Sequence, residues 1–219
     1  ATGTLTNTED CPSNVFATLN PLQGVQAGEM GLLEGNLYLS GNSSSQWRAI
    51  GATLAAISGK YYWEGKVVGG VSQMRIGICD VTQIPSSAGT KFTAQSRGYG
   101  VDTSNLVNNN STVGGFTVTS FTTNDILMFA LDLDNSKFYV GKNGTWFNSG
   151  VPTSGSTGTG SASITSGYYY TPCSEHYDAS ANFGYNFGNG YFRTTAISSE
   201  GTNASGIGKF EYDVPTGYT

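Results

Sequence analysis

Asp132 and Asp134, one residue apart in "LDLDNSKFYVGKNGTWFNSG" (Leu131 to Gly150), are the pair whose type and spacing most invite chemistry. Two carboxylates so close could hold a hard cation or divide acid and base roles. A calcium site, however, needs several oxygens converging from different segments, and the stretch lacks the Asp-x-Asp-x-Asp-Gly loop with its closing Glu. A glycosidase pair faces across a cleft, which residues on one strand cannot do alone. The competing reading makes Asp134-Asn135-Ser136-Lys137 a chain reversal capped by Asx hydrogen bonds. Asn143-Gly144 is then a second reversal, built on the positive φ that dipeptide tolerates. Turn chemistry accounts for more of these residues than metal or acid–base chemistry does. It expects both aspartates on the outward face of their strand.

The chain has a single histidine, His176, in "CSEHYD" beside Glu175 and Asp178 and three residues after Cys173. Nucleophilic catalysis requires a Ser or Cys positioned against its base, and no Gly-x-Ser-x-Gly elbow occurs. One histidine also excludes a His-rich metal site, and His176 is expected on the surface or in a loop. "GTGSASITSG" is Gly-rich but lacks the Gly-Lys-Ser/Thr ending and the following helix of a phosphate cradle. Glu64, Glu175 and Asp178 are the remaining acids from which an opposed pair could be drawn. No catalytic residue, metal ligand or cofactor is assigned.

Composition narrows the class. Charged residues make up 11% of the 219, glycine occupies 31 positions, and the net charge is −5. Phosphate backbones are held by clustered Lys and Arg, and the ten present here are scattered, so nucleic acid is not an expected partner. No run of 18 apolar residues is present to span a membrane, and "ATGTLTNTED" has neither the basic nor the apolar region of a signal peptide. Three cysteines without a Cys-x-x-Cys (Cys11, Cys79, Cys173) indicate neither zinc ribbon nor disulfide framework. Cys79 reads as a small buried residue in a chain made under reducing conditions. An aromatic content of 12% favours a packed core over disorder.

The elements that must position these residues are strands. No long window keeps a helical apolar face. "KYYWEGKVV" puts Tyr61, Trp63 and Val67 on one side and Tyr62, Glu64 and Lys66 on the other, the period of a half-buried strand. "MRIGICDV" aligns Met74, Ile76 and Ile78, and "DILMFALDLD" aligns Leu127, Phe129, Leu131 and Leu133. Trp63, Phe129 and Phe183 are expected in the core. Many short strands separated by turn residues predict an antiparallel two-sheet sandwich. "NLVNNNSTVGG" (Asn105 to Gly115) and "PTSGSTGTGSASITSG" (Pro152 to Gly167) read as long surface loops, the second flexible by composition.

The order of these segments resembles the SPRY family. "SGKYYWEGKVV" is similar to its opening signature strand, "RIGICD" and "YGVDTSN" to the next two, and "TNDILMFALDLDNSKFYVGKNGTWF" to its central hairpin. "YYYTPCSEHYDASANFGYNFG" resembles the closing segment and "GKFEYDVPTGY" the C-terminal tail. The resemblance implies a concanavalin A-like jelly roll with no catalytic role and a partner surface made of loops. It implies one domain over 1–219, with leading strands and an N-terminal arm in 1–52 and the SPRY core in 53–218. The charge-poor Gly/Ser/Thr/Asn style resembles phage and viral SPRY-like structural proteins.

Exposed aromatics and Arg are what binding surfaces use, and Tyr/Ser/Asn loops on a rigid sandwich follow paratope chemistry. The candidate partner-binding residues are Trp47, Arg48, Asn108, Asn109, Asn110, Trp146, Tyr168 and Tyr169. The function expected is a virion module: capsid decoration, head fibre or tail adhesin, assembled in the host cytoplasm. Its partners would be capsid or tail subunits and a host surface glycan, with oligomers on the particle. A soluble cytoplasmic or secreted carbohydrate-binding lectin is the alternative, and a glycan-degrading enzyme of the concanavalin-like class the third reading. The Asn-x-Ser/Thr acceptors Asn42, Asn143 and Asn203 would matter only in a secreted eukaryotic protein.

Overall fold

Residues alternating in polarity, punctuated by Gly and Asn, fold into two antiparallel sheets packed face to face. The structure, a computed structural model, describes residues 15–23, 30–41, 45–199, 201–202, 206 and 208–219; Cys11, Asn42 and Asn203 lie outside them. The strands of these two sheets are β1 (Gly31–Leu33), β2 (Tyr38–Ser40), β3 (Arg48–Gly51), β4 (Lys60–Gly69), β5 (Met74–Asp80), β6 (Gly98–Val101), β7 (Asn105–Asn108), β8 (Ser111–Thr117), β9 (Ile126–Asp132), β10 (Lys137–Lys142), β11 (Thr145–Trp146), β12 (Ala162–Ser163), β13 (Tyr170–His176) and β14 (Asn182–Asn186). The first sheet runs β1-β2-β14-β4-β9-β10-β11, with β12 also on β10; the second runs β3-β13-β5-β6-β7-β8. The helices among the described residues are short 3-10 segments.

The core fills the space between the sheets. Trp63 opposes Phe129 across β4 and β9, their rings stacked at 5.3 Å, and Phe129 stacks on Phe138 at 6.2 Å. Met74, Ile76 and Ile78 close over them from the second sheet, and Phe183 joins the same cluster. The Phe183 ring occupies the space where a side chain at Gly65 would lie, so this strand needs its glycine. The expected core residues Trp63, Phe129 and Phe183 are all buried.

The central hairpin turns as expected. Asp132 pairs with Lys137, the backbone N–H of Asn135 donates to Asp132 Oδ1 at 3.0 Å, and Ser136 takes φ 57°. Asn143 and Gly144, at φ 48° and 82°, form the two-residue reversal between Lys142 and Thr145. The aspartates are not both open to solvent, however. Asp134 is exposed and accepts from the Gly59 N–H at 2.7 Å. Asp132 is fully buried and pairs with Lys60 at 3.0 Å.

Asp132 is buried because the first sheet is covered on both faces, not half-buried as β4 alone suggests. The C-terminal tail lays Phe210, Tyr212, Val214 and Tyr218 over Tyr62, Met128, Ala130 and Tyr139. Glu64 fastens it. The carboxylate is fully buried and accepts from the Glu211 N–H (2.9 Å), the Tyr212 N–H (2.8 Å) and the Tyr62 hydroxyl (2.7 Å). Burial outweighs these donors and raises its pKa to about 7.

Both expected loops are structured. Asn109 and Asn110, at φ 49° and 57°, make the two-residue turn between β7 and β8. Asn tolerates the left-handed region that this turn needs, so a run of asparagines that reads as filler is hairpin chemistry. In the second segment Pro152–Thr157 forms a 3-10 stretch and Ala162–Ser163 adds to β10. The Pro152 carbonyl accepts from the Tyr218 hydroxyl at 2.9 Å. The segment is thus a clamp on the tail, which its low complexity conceals.

Glu64→Ala strands two backbone N–H groups and a tyrosine hydroxyl without their acceptor. Urea denaturation is expected to show a loss of about 2–4 kcal/mol, from orphaning these donors. A loss under about 0.5 kcal/mol, the range of an ordinary surface change, would contradict the fastening role.

Candidate functional site

Successive side chains of a strand point to opposite faces. On β13, Ser174 reaches the core hydroxyl of Tyr185, so His176 shares that inner face while Cys173, Glu175 and Tyr177 lie toward the outside. Cys173 packs there with Cys79, Ala49 and Phe92. Cys173 and His176 therefore face apart, and burial pushes the Cys173 thiol far above its usual value, so they form no thiolate–imidazole pair. His176 is buried rather than a surface residue: its Nδ1 lies 2.6 Å from the Ala181 carbonyl. Burial pulls its pKa down to about 4.

The acids that an opposed pair would need are separated. Glu64 sits on the outer face of the first sheet and Glu175 on the outer face of the second, with the core between them. Asp178 accepts from the Ser180 N–H and hydroxyl at 2.9 and 2.6 Å, closing its own turn. Among the described residues no three His, Cys, Asp or Glu side chains come together to hold a metal ion.

What the second sheet does assemble is an aromatic and cationic surface at the end of β13. Trp47 lies 5.4 Å from the Tyr177 ring, with the Arg75 guanidinium 5.1 Å and the Lys91 ammonium 4.8 Å from its ring centre. All four side chains are partly accessible. The support beneath them is Glu175. Its fully buried carboxylate accepts from Thr93 Oγ1 (2.6 Å), the Thr93 N–H (3.1 Å) and Arg75 Nη1 (3.2 Å). Burial raises its pKa, while Thr93 and Arg75 pull the other way. The Asn110 N–H donates to the Thr93 carbonyl at 3.0 Å, so the exposed Asn109–Asn110 turn is held beside the same surface.

The sequence candidates divide among several places. Trp47, Asn109 and Asn110 meet at this surface. Tyr168 and Tyr169 are exposed at the other end of β13, where Tyr168 stacks under Arg97 at 4.0 Å. Trp146 packs edge-on against Tyr62 and Tyr139 on the first sheet. One candidate is corrected: Arg48 begins β3 and is 4% exposed, on the inner side shared with Ile50. Asn108 ends β7, partly accessible, its amide donating to the Gly98 carbonyl at 2.8 Å. Arg75, Lys91 and Tyr177 escaped sequence reasoning. The available signal for Arg75 was a lone charge inside the apolar run "MRIGICDV".

No protein-family model and no curated protein matches the chain. Among solved structures, the SPRY domain of human HERC1 is similar with a TM-score of 0.59 and 17% identity, over 76% of this chain and 96% of that one. The PSpry domain of TRIM65 is similar with a TM-score of 0.55 and 11% identity, over 78% of this chain and 91% of that one. At such identities the likeness speaks to architecture: the chain has a SPRY-like fold.

The His176 environment makes a signed prediction. The unfolded imidazole takes up a proton near pH 6.5, and the folded one only near 4. Stability from this residue is present above pH 6.5 and lost as pH falls toward 4. Glu64, raised to about 7, acts oppositely, its contribution being lost as pH rises from about 4.5 toward 7. Comparison with His176→Asn cancels the Glu64 contribution. Between pH 7 and 4 the stability gap is expected to move by about 3 kcal/mol in the variant's favour; chemical denaturation at the two pH values measures it, and an unchanged gap would refute it.

Proposed function

We propose that the chain is a non-enzymatic protein-binding module and that it serves on a virus particle, as capsid decoration, head fibre or tail adhesin. The observation that carries the binding reading is the Trp47 surface. Trp, Tyr and Arg are the side chains that dominate interface energetics when set in a rigid frame. Here Trp47, Tyr177 and Arg75 are joined by Lys91 on a surface where Glu175 ties the 92–94 turn to the sheet. The SPRY-like fold supports the same reading, because that scaffold resembles a family of interaction modules. The separation of Glu64 from Glu175 and the opposite facing of Cys173 and His176 support leaving catalysis out.

The particle assignment is supported by composition. With 11% charged residues, the surface relies little on exposed ion pairs, which are weak and weaken further with salt. A particle exposed to changing ionic strength benefits from that choice. Capsid or tail subunits would occupy one side and a host protein or glycan the other.

Two experiments test the proposal. Panning a displayed peptide library on the purified protein is expected to enrich binders that lose at least tenfold in affinity for Trp47→Ala, since central interface tryptophans contribute about 2 kcal/mol or more. Binders indifferent to Trp47→Ala would move the binding surface elsewhere. Proteomics of purified virus particles from the source of the sequence is expected to detect the chain. Its absence there, while present in the host lysate, would refute the particle assignment and leave the binding assignment standing.

A further inference from the structure

Exposed apolar side chains are unevenly spread. Of the ten large apolar or aromatic residues exposed among those described, six lie at the end of the sandwich away from Trp47: Val15, Leu54, Ile57, Tyr61, Tyr168 and Tyr169. Strand register makes them neighbours. Ala56 bridges Tyr170 in antiparallel fashion, which sets Ile57 beside Tyr169 and Ser58 beside Tyr168. The Tyr61 hydroxyl returns to the Ser58 carbonyl at 3.0 Å. Val15, Leu54 and Tyr61 are among the residues lining a recess of about 420 Å³ between the starts of β4 and β13. The face is thus a recess with apolar projections beside it.

Charge at this end is mostly paired. Arg97 lies over the Tyr168 ring at 4.0 Å and pairs with Asp80 at 2.6 Å, and Lys60 pairs with Asp132 at 3.0 Å. Asp134, at the rim, accepts from the Gly59 N–H at 2.7 Å, and no charged side chain lines the recess. The exposed parts of the six side chains amount to roughly 500 Å², at the upper end of what monomers leave open. Three features select the occupant. A chain of net charge −5 repels its own copies, so self-association needs a face whose charges are paired, and this one qualifies. A recess next to projections is a shape that a two-fold axis can use twice, each copy's projections covering the other's recess. Doubled, the patch reaches about 1,000 Å², the area at which specific interfaces begin. We infer that a second copy of this chain docks here, forming a two-fold dimer in which Leu54 and Tyr169 of each copy lie against the recess of the other. The inference stands apart from the particle assignment and from the Trp47 surface.

Sedimentation velocity of the purified full chain tests this. A monomer–dimer equilibrium is expected with a dissociation constant in the micromolar range, the weak class to which so small an interface belongs. Raising NaCl from about 0.1 to about 1 M, which screens ionic contacts but not apolar ones, should leave the dimer intact. Leu54→Asp and Tyr169→Asp each bury unpaired like charges at the interface and should weaken the dimer at least tenfold. Both positions are exposed, so the variants should fold, which circular dichroism checks; Leu54→Ser serves if neither charged variant does. Trp47→Ala should leave the dimer unchanged. A wild type that stays monomeric up to millimolar concentration, leaving the face to some other partner, would overturn the inference. So would a dimer undiminished in the folded face variants, one that dissociates in high salt, or one lost in Trp47→Ala.

Discussion

The buried carboxylate of Glu175 is the interaction on which the candidate binding surface depends. A charged or protonated carboxyl with no partner inside the protein would be strongly unfavourable, so the local chain must bring it donors. They come from two segments: Thr93 supplies its hydroxyl and backbone N–H, and Arg75 its guanidinium. That requirement draws the 92–94 turn onto the outer face of the second sheet, where Phe92 seals Cys79 and Cys173. It keeps Arg75 beside Trp47 and seats the Asn110 turn on Thr93. Glu64 does the corresponding work on the first sheet, holding the tail through Glu211 and Tyr212. Each outer face is thus closed by one glutamate receiving backbone N–H groups from a segment distant in sequence.

This arrangement explains what could be read from the chain and what could not. Alternation correctly placed Trp63, Phe129 and Met74 on inner faces, and the turn chemistry of Asn135-Ser136 and Asn143-Gly144 was legible because it is local. Alternation states which side a residue takes but not what covers that side. Asp132 and Glu64 looked solvent-facing because the tail that buries them lies roughly eighty and one hundred and fifty residues further along the chain. His176 lies on the inner face of β13, which a one-histidine loop motif gave no reason to suspect. Arg48 misled for a similar reason: it is polar and near a turn, yet it lies on the inner side of β3 and donates to the Trp47 carbonyl.

The site was legible only in part. Trp47 stood out by type, but its neighbours arrive from β5, from the 3-10 approach at Lys91 and from the residue after β13. Long-range strand pairing brings them together: His176 pairs with Met74 on one side and Arg48 on the other, so the residues next to each pair share one end of the sheet. Exposed tyrosines at the opposite end, Tyr168 and Tyr169, have the same composition but lack such a frame beyond Arg97. Composition pointed to the side chains that binding surfaces use; register decided where they are concentrated.

The most direct measurement is amide and side-chain chemical-shift mapping of the protein titrated with a partner selected by panning. The account predicts the largest changes at Trp47, Arg75, Lys91, Tyr177 and the Asn109–Asn110 turn, with Trp146 and the Tyr168–Tyr169 pair unmoved. Changes concentrated on Trp146 or on Tyr168–Tyr169, with the Trp47 surface silent, would contradict it.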